Sequence, residues 1–130
     1  MKNTDFLDII KESKSFFAAG DLKKYSKIRK VSTGTPVINS NVNWSDHYVA
    51  TIVVPIRIKR KYIDQQYSGD GFHNVGFLCV DSKSTSAFRD TDMKSYINLV
   101  QSFADCLYKY FDRFLYYQKA IQEASCGTES

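Results

Sequence analysis

A chain of 130 residues, 43% apolar and 25% charged, is long enough for one domain and can bury roughly two-thirds of its unfolded surface without a staple. Its net charge of +4 comes largely from two runs, Lys23 to Lys30 and Arg57 to Lys61, with no helix-turn-helix, zinc-finger or RNA-binding signature. They read as solvated surface, and a nucleic-acid partner is the least favoured of the binding classes.

The chain opens with Asn3-Thr4-Asp5, cap chemistry ahead of "FLDIIKESKSFF". Phe6, Ile9, Ile10, Phe16 and Phe17 recur at helical spacing and predict a helix that stops at Gly20. Asp21 is placed to cap a second helix, "LKKYSKIRK", with Leu22, Tyr25 and Ile28 on one side. Residues 31–46 are rich in Ser, Thr, Asn and Gly and read as a long polar connection.

"HYVATIVVPIRIKRKY" is the first clear strand. Ala50, Ile52, Val54, Ile56 and Ile58 form one apolar face at period two. Pro55 lacks a ladder donor, which predicts a bulge or an edge-facing position there. Gly69-Asp70-Gly71 marks a turn, and "FHNVGFLCVD" follows as the second strand. The two should pair as an antiparallel hairpin of residues 49–62 and 72–81. Val75, Phe77 and Cys79 are expected on one face of the second strand, Leu78 and Val80 on the other. With neither face polar, that strand reads as central, covered on both sides. Asp81-Ser82 reads as the turn that ends it.

A long helix over residues 92–123 completes the domain, with Asp90 or Thr91 as cap and Asp92 in its first turn. Met93, Ile97, Val100, Ala104, Leu107, Phe111, Phe114 and Ile121 follow alternating three- and four-residue steps, broken at Gln118. Tyr96, Phe103, Tyr108 and Leu115 widen this stripe. Asn98, Gln101, Asp105, Lys109, Asp112 and Arg113 lie opposite. The helix is longer than a strand of ordinary length needs as cover, so its second half should project and carry its stripe to a second copy or to the N-terminal helix. The fold expected is α+β: a small antiparallel sheet flanked by N-terminal helices and a long C-terminal helix. The domain spans 1–124, and 125–130 should be a disordered tail.

Motifs for chemistry are sparse. Cys79, Cys106 and Cys126 make neither a disulfide framework nor a CxxC metal site. Reduced thiols and a start without an apolar leader predict a cytoplasmic protein, and no run is long enough for a membrane span. His47 and His73 each stand alone, and Cys79 reads as an inward-facing small hydrophobe beside Phe77. No nucleophile–base pair can be proposed, so no catalytic and no metal residues are assigned, and no cofactor can be named. Tyr25, Arg29, Trp44, Tyr48 and Phe77 are candidates to line a small-molecule cleft over the sheet face away from the long helix. The alternative is that they close that face as a lid on the core. Leu107, Phe111, Phe114 and Ile121 are the candidates for helix packing in a homodimer.

In order, Val54-Pro55-Ile56, a turn-rich insertion, Gly76-Phe77-Leu78-Cys79-Val80-Asp81-Ser82, Phe88, Asp92 and a long terminal helix resemble the C-terminal half of a GAF domain. The resemblance covers about residues 48 to 118. It implies an antiparallel sheet between helices, and a sensory or regulatory role by binding a small molecule or by dimerising through terminal helices. A full GAF domain also has two strands between its first helix and mid-domain, and residues 20–46 offer no two clear strands. The family's cyclic-nucleotide signature and its bilin-attachment Cys with adjacent His are absent. Cys106 and Cys126 fall on the helix and tail, so the methionine-sulfoxide reductase activity known in the superfamily does not carry over. Two readings remain open: a ligand-sensing dimer, and an assembly module without a ligand.

Overall fold

The structure, a computed structural model, describes residues 3–11, 14–60 and 71–126, without the side chains of 115, 119 and 122–126. Seven elements follow in order: α1 Thr4–Lys11, β1 Phe17–Ala19, α2 Leu22–Thr33, α3 Trp44–His47, β2 Ala50–Lys59, β3 Phe72–Ser82 and α4 Met93–Cys126. The strands form one antiparallel sheet in the order β1-β2-β3. The chain is therefore α+β, with helices on both faces of a small sheet.

The centre of that sheet is β2, not β3. Ala50, Ile52, Val53 and Val54 are completely buried. At roughly 2 kcal/mol for each fully buried aliphatic side chain, this strand anchors the domain. Among the described residues β3 pairs with β2 only and stands at the edge. The apolar pattern that predicts a central β3 is real, but one neighbour is missing. Two parallel readings of the chain also change at the N-terminus. Helix α1 is described over Thr4–Lys11, and Phe17, expected on that helix, instead pairs with Val53 as the first residue of β1. Phe17 at 4% exposure fills the sheet's core, a site that a continued helix could not reach.

Pro55 sits opposite Phe77 and is fully buried. The β1 ladder ends at Val53, two residues short of it. The register shifts between Ile56 and Arg57, where Val75 has no partner on β2. The sequence predicts a bulge or an edge-facing position at Pro55: Pro55 keeps its register and lies beyond the end of the β1 ladder, and the bulge falls instead at Val75 on β3. It also moves Val75 onto the α4 side with Leu78 and Val80, away from Phe77.

The two faces carry different cover. Ile52, Val54 and Ile56 pack with Val100 and Ala104 of α4, flanked by Ala18, Leu78, Val80, Phe88, Met93, Tyr96, Ile97 and Leu107. Val53 packs on the other face with Phe17, Ala19, Leu22 and Ile9. Asp21 Oδ1 accepts the Lys24 N–H at 2.9 Å and caps α2, and Gly34 closes that helix with φ of 76°. Gly20 is needed for packing: a Cβ there would stand 2.7 Å from the Phe88 carbonyl oxygen.

Residues 34–43 form no strand, and the loop is tied to α1. Thr4 N–H donates to Ile38 O at 2.8 Å, and Ile38 N–H donates back to Thr4 Oγ1 at 2.7 Å. The helix α4 begins one residue later than expected. Asp92 stands just before it, its carbonyl accepting from Ser95 and Tyr96. The helix continues through Ser125 and Cys126, which were expected in the tail; 127–130 lie outside the described residues, as do 61–70 with the Gly69-Asp70 turn. Among the described residues, no helix is long and apolar enough to cross a membrane.

Candidate functional site

Four of the five candidate ligand residues come together. Tyr25, Trp44, Tyr48 and Phe77 all pack against the Ile9, Phe17, Ala19, Leu22 and Val53 cluster. Phe6 stacks on Phe77 with ring centroids 4.6 Å apart, Phe17 meets Tyr25 edge-on at 5.2 Å, and Trp44 lies 5.8 Å from Tyr48. Such pairs add to burial energy and hold the rings in fixed orientation. Asn39 Nδ2 donates to the Tyr48 hydroxyl at 2.5 Å. The fifth candidate, Arg29, faces α1 instead. Its guanidinium binds Asp8 at 3.0 Å, and the Asp8 side chain is only 4% exposed.

A small acidic neighbourhood borders this lid. Thr51 donates to Asp81 Oδ1 at 2.5 Å. Tyr48 titrates above its usual range because burial disfavours the phenolate, with the Asp81 and Asp5 charges adding to the effect. Cys79 is exposed on the edge strand rather than turned inward. Partial burial of its sulfur, then the charges of Asp81 and Asp5, push its thiol up to about 11. At neutral pH that leaves about a hundredfold less thiolate than an ordinary cysteine, so Cys79 is a poor nucleophile. Among the described residues, no group of three or more His, Cys, Asp and Glu is placed to hold a metal ion.

Burial likewise raises the Asp5 carboxyl, with Asp81 and Asp8 adding to the shift and the Phe6 N–H opposing it. The folded state thus holds this proton more tightly than the unfolded chain, and stability falls as pH rises from 3.8 through the raised value. Asp5→Asn keeps the acceptor and removes the charge. It is expected to melt a few degrees above the parent near about pH 7 and to lose that advantage near about pH 3. Thermal denaturation at both pH values checks this; an equal difference at both overturns the assignment.

The helix-packing candidates divide at the end of the sheet. Leu107 is half-buried against the Ile52–Val54 cluster. Every described side chain from Lys109 to Ile121 is exposed, including Phe111, Phe114 and Ile121. Leu99, Phe103, Tyr110 and Tyr117 are exposed too. At 100° per residue all seven apolar side chains fall within about 120° of the helix surface, opposite Lys94, Asp105, Lys109 and Asp112. The Leu99–Phe103–Tyr110–Tyr117 line is absent from the sequence-derived stripe, apart from Phe103 as a flank. Its signal is a seven-residue recurrence from Phe103 to Tyr110 to Tyr117.

Two clefts accompany these surfaces. Ala18, Gly20, Asp21, Lys24, Tyr25 and Met93 are among the residues around one of about 380 Å³. Arg57, Lys59, Phe72, Asp105 and Tyr108 line another of about 410 Å³, with the Arg57 guanidinium 5.7 Å from the Phe72 ring centre.

No family model, no curated protein and no solved structure matches this chain.

Proposed function

We propose that this chain is a non-catalytic assembly domain of GAF-like type, which dimerises through α4. The observation that carries the reading is the exposed apolar flank of that helix. Leu99, Phe103, Tyr110, Phe111, Phe114, Tyr117 and Ile121 are each between 38% and 72% exposed. At about 150–250 Å² per aromatic side chain they offer roughly 800 Å², the area one partner contributes to a standard dimer. It also exceeds the roughly 300–600 Å² patch of an ordinary monomer. A second copy is the occupant because the Ile97–Leu107 stripe continues past the sheet at steps of three and four, the spacing that another helix matches. Lys94, Asp105, Lys109 and Asp112 keep to the far side, and Arg113 borders the flank. Light scattering over a concentration series tests this: the mass should rise from 14.9 kDa to at least twice that value. A chain that stays monomeric at the highest concentration overturns the reading.

A small-molecule sensor is the second reading, favoured by the Tyr25 cleft between β1, α2 and the start of α4. Its volume lies in the range of ligand sites, and Asp21, Lys24, Arg89 and Asp90 surround it with charge. A ligand there would bear directly on Met93, the first residue of the dimer helix. Thermal shifts across a panel of zwitterionic and nucleotide metabolites test it, and a flat response removes it.

A further inference from the structure

Strand β3 has an apolar pattern suited to the middle of a sheet, and it stands at the edge of one. Phe77 packs on one face with Phe17 and Val53, while Leu78 and Val80 pack on the other with α4. These β3 side chains remain only half-buried, unlike their β2 counterparts. The strand is 11 residues long, about twice the usual length. Among the described residues, its outer edge makes no backbone hydrogen bond to another element of the chain.

Edge strands of this kind are normally guarded by lysine, proline or shortness. Phe72–Ser82 contains no Lys and no Pro, and Asp81 is its one formally charged residue. The bulge at Val75 interrupts the edge, leaving Phe77 to Ser82 as a clean run. By contrast, β1 is three residues long. We infer that β3 pairs edge to edge with β3 of a second copy, antiparallel about a two-fold axis, so that two three-stranded sheets become one of six strands.

The occupant follows from the pattern. A strand added beside β3 must be apolar on both faces to cover Phe77 on one side and Leu78 and Val80 on the other. It must also be nearly uncharged to lie against this edge. Another β3 satisfies both conditions, and an isologous pairing lets each copy complete the other. The lone Asp81 near one end meets the opposite end of its partner, so no like charges face each other. This pairing shares with the α4 reading only its partner, a second copy, and uses a different surface.

Cys79→Lys tests the inference, because that side chain is exposed and lysine is a natural edge guard. The variant should keep its circular dichroism and melting temperature but associate at least about tenfold more weakly. Hydrogen exchange gives the independent readout. In the parent, amides of residues 77–82 should gain protection as concentration rises, and in Cys79→Lys they should not. Equal exchange at all concentrations, or an unchanged association constant in Cys79→Lys, overturns the pairing. If the α4 reading alone is wrong, Phe114→Asp leaves the mass unchanged while Cys79→Lys lowers it. If the edge pairing alone is wrong, the two results are reversed.

Discussion

The double variant Phe111→Asp, Phe114→Asp is expected to run as a folded species of lower mass, with association weakened by about a thousandfold or more. Each aromatic truncation at the centre of an interface costs about 2 kcal/mol or more, and a buried carboxylate adds its own desolvation. Both rings lie beyond Ala104, the last buried residue among the described side chains of α4. The fold itself should therefore hold, with helical circular dichroism and melting temperature close to the parent at low concentration. Analytical ultracentrifugation reads the outcome. If mass is unchanged, the flank of α4 is solvent-facing only. If the fold collapses, the outer half of α4 packs on its own domain.

The second large effect is expected at Asp8. Its carboxylate is buried between α1 and α2, 3.0 Å from Arg29 and 3.9 Å from Lys14. Asp8→Ala strands the Arg29 guanidinium, which is only 19% exposed and whose Nε already finds no partner among the described residues. Breaking one side of a buried pair costs about 3 kcal/mol, or roughly 10 °C in a domain of this size. The combination Asp8→Leu, Arg29→Met should recover most of that loss, because it removes both charges and keeps the volume. Urea denaturation of the three proteins decides it. A neutral Asp8→Ala would release Arg29 for a role in binding.

The strongly periodic segments were legible in the chain. The hairpin's apolar face and the long C-terminal helix follow from period-two and three-four spacing. What escaped is instructive. β1 has only three residues, too few for alternation to show, and Phe16-Phe17 also fits the helical spacing of Phe6 and Ile9. Edge or central placement of β3 cannot be read from side-chain pattern, because a strand records what touches its faces and not what bonds its sides. The lid over Val53 was anticipated as a set of residues, since Tyr25, Trp44, Tyr48 and Phe77 do converge. Arg29 was separated from them by a partner 21 residues away, Asp8, whose acidity gave no sign of burial.

The stapling of the polar loop to α1 bears on the order in which the chain assembles. Thr4 and Ile38 exchange two hydrogen bonds across 34 positions, and Phe6 reaches Phe77. An eight-residue helix is too short to persist alone, so α1 is expected to wait for these distant partners. β2, β3 and α4 are consecutive and share the largest cluster, which makes them the natural nucleus. Side-chain truncations in α1 should then speed unfolding with little effect on refolding, whereas those at Ile52 and Val54 should slow refolding. The N-terminal half, with β1 in it, is then expected to dock last on the β2–β3–α4 unit, completing the sheet and closing the lid on Val53 together.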